Sequence, residues 1–330
     1  MSPYKYRCLD ESIMLPFLNK NVFSVLHRHI PYGVPANYLT LVSIVVIWSC
    51  FLYFIGIDTP NDTEISIAFF VIIIYVLFDH FDGLQANISG TGSPLGEFLD
   101  HYSDVFNGSI IIYLFFRILQ IELDWIFYLA IWSNLVAFTV TYLEQSIKKE
   151  LYFGKIGSLE GVVIILLILL SFLTSQGKRF WLEYTIMDMP VYAFLLLGLI
   201  LGVIYTVAGS IKRLQHIPKS FIHYLLMGSI LLFLCIYYQI SWYVAFLAIK
   251  VYSSDFILKS MKSHLLDTEI PKPDLFIYVL FLFLIFQSFF KYEQQICFMV
   301  YGLLVAARIL WEMIQIFSKF SNYWKWWNLN

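Results

Sequence analysis

Apolar positions run along this chain in long blocks rather than in alternation. Ten such blocks lie at about 39–57, 64–84, 97–119, 124–143, 159–175, 190–208, 221–239, 241–258, 274–290 and 295–315. A helix that crosses a bilayer needs about 20 mostly apolar residues, so each block predicts a transmembrane helix. The segments between blocks are short and carry turn residues, as in Gly56-Ile57-Asp58-Thr59-Pro60-Asn61. Residues 10–29 have a partly helical apolar period but too little length to span. They predict an amphipathic helix lying in the membrane interface. Trp324, Trp326 and Trp327, beyond the last block, read as part of an interfacial aromatic belt. The expected fold is an all-α integral membrane protein of about ten transmembrane helices with an N-terminal interfacial helix.

Composition strengthens this picture. The chain is 60% hydrophobic and 13% charged, against roughly 45–50% and about 25% in soluble domains. So few charges cannot cover a water-soluble protein of this length. The net charge of −2 adds little, and no nucleic-acid partner is expected. Cys8, Cys50, Cys235 and Cys297 make no metal-binding spacing and read as buried free thiols. No signal peptide is expected, because the first apolar block begins only near residue 39. The chain reads as one membrane domain in three stretches. These are a cytoplasmic or interfacial segment (1–38), a catalytic helical core (39–208) and additional transmembrane helices (209–330).

Where the cations sit predicts orientation. With the N-terminus inside, fifteen Lys and Arg residues fall in inner segments and four in outer ones: Arg117, Lys178, Arg179 and Lys291. The bias places both termini in the cytoplasm. Lys250 and Arg308 lie within apolar blocks, where such groups are paired or face an interior cavity.

The candidate chemistry is acidic. Asp79 and Asp82 are three residues apart at the end of the second block, so they share a helix face. Asp100 and Asp104 are four apart and share a face on the third. The intervening Ser89-Gly90-Thr91-Gly92-Ser93-Pro94 is a turn, so the two helices run antiparallel and their acidic faces can converge. A single carboxylate at membrane depth costs at least about 2.5–3.5 kcal/mol, and few cationic residues lie nearby in sequence. Four carboxylates on facing helices suit hard divalent cations, Mg²⁺ or Mn²⁺. The alternative on geometry alone is an acidic cluster that faces water.

The full spacing is D-x2-D-G-x2-A-x9-G-x3-D-x3-D, from Asp79 through Asp82, Gly83, Ala86, Gly96 and Asp100 to Asp104. It resembles the signature of the CDP-alcohol phosphotransferases, D-x2-D-G-x2-A-R-x8-G-x3-D-x3-D. Asp82-Gly83-Leu84-Gln85-Ala86 and Ser93-Pro94-Leu95-Gly96-Glu97-Phe98-Leu99-Asp100-His101 look like the choline and ethanolamine branch. Pro35-Ala36-Asn37-Tyr38-Leu39-Thr40 and Gly157-Ser158-Leu159-Glu160-Gly161 are similar to further stretches of that branch, and Lys262-Ser263-His264-Leu265 more weakly so. One position departs. The family places Arg where this chain has Asn87, which carries no charge, so the resemblance does not say how the donor phosphates are neutralised here.

The resemblance implies transfer of phosphocholine or phosphoethanolamine from a CDP-alcohol to a lipid hydroxyl, diacylglycerol or ceramide, with release of CMP. It implies about two Mg²⁺ or Mn²⁺ ions held by Asp79, Asp82 and Asp100, with Asp104 as general base and a further contact to metal. Asn37, Gly83, Ala86 and Gly96 would line the nucleotide pocket, with Asn87, Glu97 and Glu160 as accessory residues. His101 would lie off the acidic face. The expected partners are the CDP-alcohol, the lipid acceptor and membrane lipids, with a homodimer left open. The active site would be cytoplasmic. Two other readings stay open: a CDP-diacylglycerol-dependent enzyme with a soluble alcohol acceptor, and a non-catalytic metal-binding transporter.

Overall fold

The computed structural model describes residues 6–272, 274–287 and 293–323. The tryptophans at 324, 326 and 327, and the last three residues of the ninth block, lie outside the described residues.

The chain begins with a short strand β1 (Cys8–Asp10) and three helical pieces: α1 (Leu15–Leu18), a π-helical turn (Asn19–Phe23) and α2 (Ser24–His27). Then come α3 (Ala36–Phe54), α4 (Asp62–Ser89), α5 (Pro94–Ile118) and α6 (Trp125–Lys148). Strand β2 (Leu151–Phe153) leads to α7 (Ser158–Phe172) and α8 (Ser175–Leu182). A two-stranded hairpin, Thr185–Ile186 with Met189–Pro190, precedes α9 (Val191–Leu214). The remainder is α10 (Lys219–Tyr237), α11 (Trp242–Leu266), α12 (Leu275–Phe286) and α13 (Gln294–Phe320).

Local chemistry sets the ends of the helices that matter most. Asn61 and Glu64 form a reciprocal capping box at the start of α4. The helix stops at Gly90, whose φ of +63° is the left-handed conformation that glycine adopts without strain. Three residues later Ser93 accepts from the Gly96 N–H at 3.0 Å, and Pro94 occupies the first turn of α5. This tight reversal makes α4 and α5 consecutive antiparallel neighbours.

Six helices are long and apolar enough to cross a membrane among the described residues, namely α3, α4, α6, α9, α10 and α13. The bent pair α7–α8, which turns by 118°, makes a seventh if it is one span. The block pattern predicts ten. The shortfall has three physical sources. The helices α5 and α11 are long but interrupted by polar residues, Asp100, His101, Asp104 and Asn107 in one and Lys250, Asp255 and Lys259 in the other. Helix α7 ends at Phe172, where Thr174 begins a new cap. Helix α12 has only 12 residues.

Large apolar side chains such as Leu52, Phe70, Leu167 and Leu201 point outward. In water they would be an aggregation surface. In a bilayer a helix may present them freely, because its backbone groups are satisfied internally. The protein is an all-α integral membrane protein.

The chain divides into two compact units. The first comprises the described residues of Met1–Ile121, Tyr152–Gly198 and Lys319–Asn330; the second comprises those of Glu122–Leu151 and Leu199–Ser318. In the first, α3 packs along α4 and α5, and α7 packs against both α4 and α5. In the second, α6 packs along α11, and α10 packs on both. All four cysteines are free thiols; Cys50, Cys235 and Cys297 are buried as expected, whereas Cys8 is exposed on the N-terminal strand.

Candidate active site

The two helices joined by the Gly90 reversal bring three carboxylates together. Oxygens of Asp79 on α4 and of Asp100 and Asp104 on α5 all lie within 4.8 Å of one another. The side chains of Asp79 and Asp100 keep 19% and 27% of their surface open, so the cluster is reachable rather than sealed. None of Asp79, Asp82, Asp100 and Asp104 forms an ion pair with Lys or Arg among the described residues. The near cationic candidates are imidazoles: His80 Nδ1 is 3.6 Å from Asp79, and His101 Nε2 is 3.6 Å from Asp100. His80 Nδ1 also donates to the Val76 carbonyl at 2.9 Å, which aims the ring along the helix.

Asp82 stands apart from that trio. It is 5% exposed and accepts from the Thr40 hydroxyl at 2.5 Å. This bond ties α4 to α3, and Thr40 is a functional neighbour that the aspartate spacing does not reveal. Its sequence signal is its place in the Pro35–Thr40 stretch that is similar to the choline and ethanolamine branch. Tyr75 is a second such residue. It lies one turn before Asp79 on the same face of α4, and its hydroxyl donates to Asp104 at 2.8 Å.

The nucleotide-pocket candidates lie on α3 (Asn37), α4 (Gly83, Ala86) and α5 (Gly96). Asn37 and Gly96 are brought into contact, because a Cβ on Gly96 would sit 3.0 Å from Asn37 Oδ1. Glycine there lets the start of α3 approach the first turn of α5. Gly83 faces open space, with nothing within 4 Å of where a Cβ would be. Ala86 is partly open and Asn87 exposed, one turn beyond Asp82 and Gly83.

The accessory residues divide. Glu97 and His101 are buried on α5. His101 Nε2 lies 3.3 Å from the Tyr6 hydroxyl, so the N-terminal segment reaches the edge of the cluster. Glu160 works as a clamp. One of its oxygens accepts from the Ser12 hydroxyl at 2.5 Å and the Met14 N–H at 3.2 Å. The other accepts from the Gly157 N–H at 2.7 Å, at the start of α7. It thereby anchors the N-terminal segment to that helix end.

The donor set decides what this cluster can hold. Three carboxylates in mutual contact repel one another unless a cation lies among them. Their oxygens are hard ligands of the type that Mg²⁺ and Mn²⁺ prefer. The residues present therefore fit a divalent cation.

Fold and site together define an all-α membrane protein with an acidic, cation-ready cluster on two antiparallel helices. The sequence matches the CDP-alcohol phosphatidyltransferase family over residues 34–205, more than half of the chain, and the chain belongs to that family. It is 25% identical over 237 residues to an uncharacterized CDP-alcohol phosphatidyltransferase class-I family protein of Schizosaccharomyces pombe, covering 64% of this chain and 61% of that one. It is 26% identical over 172 residues to choline/ethanolaminephosphotransferase 1 of Saccharomyces cerevisiae, covering 50% of this chain and 44% of the relative. It is 24% identical over 228 residues to cholinephosphotransferase 1 of Mus musculus, covering 66% and 56%. The matched segments thus span about half of those relatives' lengths.

Proposed function

We propose that this protein is a CDP-alcohol phosphotransferase that moves phosphocholine or phosphoethanolamine from a CDP-alcohol to a lipid hydroxyl, diacylglycerol or ceramide. The observation that carries the reading is the convergence of Asp79, Asp100 and Asp104 within 4.8 Å, without a Lys or Arg partner among the described residues. An unpaired acidic trio in a membrane bundle is costly and calls for a cationic occupant. The names of the relatives in the choline and ethanolamine branch support the choice of head group.

In this reading Asp79, Asp82, Asp100 and Asp104 hold about two Mg²⁺ or Mn²⁺ ions. When bound, such ions neutralise the donor diphosphate and the charge that develops on the departing CMP. Asp104 takes the proton from the lipid hydroxyl. The hydroxyl oxygen then bonds to the phosphorus that carries the alcohol, and the bond from that phosphorus to the CMP oxygen breaks. Tyr75, by donating to Asp104, fixes the orientation of the base. Thr40 does the same for Asp82. Asn37, Gly83, Ala86 and Gly96 line the nucleotide pocket, where small residues let the donor approach the backbone, and Asn87 and Glu97 border it.

The catalytic core lies in 39–208, with further membrane helices in 209–330. Helices α5, α7–α8, α11 and α12 complete the set of spans. The N-terminal helical pieces lie in the interface, and both termini and the site face the cytoplasm, as the Lys and Arg distribution predicts. The test is to incubate the purified protein with labelled CDP-choline or CDP-ethanolamine and a panel of lipid hydroxyl acceptors. Head-group transfer should stop in excess chelator and return with Mg²⁺ or Mn²⁺. Turnover only from CDP-diacylglycerol with a soluble alcohol would replace this reading, and full turnover in chelator would end it.

A further inference from the structure

We propose that the cavity between the N-terminal segment and the last turns of α4 binds the phosphate of an anionic phospholipid. Its volume is about 340 Å³, within the size range of small-ligand sites. That is room for a phosphate and glycerol backbone but not for acyl chains. Its polar wall comes from Ser24, His27, Arg28, Tyr32 and Gln85, its apolar wall from Ile30, Leu84 and Ile88, and no acidic side chain lines it.

The polar groups are available. His27 is 6% exposed, and its Nε2 is buried with no hydrogen-bond partner among the described residues. Leaving such an atom unsatisfied costs about 1–3 kcal/mol, and a turn of the ring toward the cavity would give it a phosphate oxygen as acceptor. Arg28 is exposed and has no acidic partner among the described residues. A guanidinium beside an imidazole, with a hydroxyl on the same wall, is a donor set complementary to phosphate.

The depth of the cavity favours a lipid as the source of that phosphate. Helix α4 has 28 residues, which is about 42 Å at 1.5 Å per residue. The hydrocarbon core is only about 30 Å thick, so the final turns around Leu84 and Ile88 reach headgroup level. Ile88 is 58% exposed and offers an apolar surface along which acyl chains can leave the cavity. The outer edge of the cavity at Ile88 turns away from the acidic trio, while its inner edge at Gln85 lies one turn beyond Asp82. Nine residues of helix place Ile88 about 180° around α4 from Asp79.

One lining residue, Gln85, holds the wall in place with its own amide. The Gln85 amide donates to the carbonyls of Pro31, Tyr32 and Val34 at 3.2, 3.0 and 2.7 Å, pinning the loop that closes the cavity. Phe23 stacks on His80 with ring centroids 4.2 Å apart, and His27 meets the edge of Phe81 at 5.6 Å. The N-terminal segment is therefore docked on the back of the helix that carries Asp79.

The experiment is native mass spectrometry of the delipidated full-length protein in neutral detergent. Short-chain phosphatidic acid, short-chain phosphatidylcholine and inorganic phosphate are titrated separately. Phosphatidic acid should be retained at one molecule per chain, well above phosphatidylcholine and inorganic phosphate. Arg28→Gln, at an exposed position, should weaken that retention at least about tenfold with an unchanged melting temperature. Arg117→Gln, which removes a distant guanidinium paired with Asp58, should leave it intact. Equal retention in Arg28→Gln, or equal retention of phosphatidylcholine, would overturn the proposal. Inorganic phosphate bound as tightly as the lipid would do so as well, by assigning the cavity to a soluble phosphate.

Discussion

The two units handle buried carboxylates in opposite ways. In the second unit every buried acid among the described residues has a cationic partner. Glu144 accepts from Arg213 at 2.6 and 2.8 Å. Lys259 bridges Asp255 and Asp274 at 2.6 Å each, and Arg308 pairs with both of those acids. Glu312 pairs with Lys262. In the first unit Asp79, Asp100 and Asp104 meet one another instead. The lesson is one of charge balance. In the second unit the carboxylates that join helices have their counter-ions on the same chain. The first unit, which leaves three carboxylates to converge without Lys or Arg, reserves the place for a cation from outside. Acids held by cations, or like Glu160 by neutral donors, are structural joints; the trio is the candidate site.

The sharpest way to break this contrast is to neutralise one acid of each kind. Asp79→Asn or Asp100→Asn should reduce head-group transfer to the level seen in chelator, and should weaken metal and donor binding together. Glu144→Gln in the second unit should keep turnover per folded molecule within a few-fold of the parent. Comparable loss of turnover from both substitutions, at equal amounts of folded protein, would erase the distinction.

Within the acidic trio the roles can then be separated. Asp104→Asn should lower turnover by roughly 10²–10⁴-fold if proton removal is its main task, while calorimetry finds CDP-alcohol affinity largely kept. Loss of donor binding as severe as in Asp79→Asn would make Asp104 chiefly a ligand. Near-normal turnover would pass the proton to another group, with Glu97 and His101 next to be tested.

Stability should respond with opposite signs in the two units. Arg213→Met strands the buried Glu144 carboxylate, a change that costs about 3 kcal/mol and should lower the melting temperature without a direct effect on chemistry. Asp100→Asn relieves repulsion in the metal-free trio and should raise the melting temperature measured in chelator, by an amount on the order of 1 kcal/mol in stability. A lower melting temperature for Asp100→Asn in chelator would mean that the trio is a structural joint after all.

The smallest effect is expected at the departure from the family spacing. Asn87 is exposed one turn beyond Asp82. Asn87→Arg should tighten CDP-alcohol binding a few-fold, about 1 kcal/mol, with a gain that shrinks at high salt. Unchanged affinity at low salt would place the donor phosphates out of reach of that position.

Much of this was legible before any coordinates. The aspartate offsets, three on one helix and four on the next, predicted converging faces because helical periodicity is local. The turn Ser89–Pro94 predicted the reversal because Gly90 and Ser93-Pro94 carry standard stop and start chemistry. Hydropathy was less sufficient for the spans. It did not distinguish an uninterrupted helix from α5 or α11, in which polar residues find partners inside the bundle. Nor did it foresee the 118° bend between α7 and α8. It also left Arg308 without a named partner, since Asp255 and Asp274 lie 53 and 34 residues away in sequence.

The sequence by itself determined the solvent, the helical class and the presence of an acidic site, because composition and short-range spacing are properties of the chain alone. Only the tertiary structure decided which carboxylates meet. It set Asp82 against Thr40 and Asp104 against Tyr75, turned Glu160 into a clamp on the N-terminal segment, and opened a cavity beside His27. Each of those outcomes depends on contacts between residues far apart in the chain, whose pairing follows from how whole helices pack.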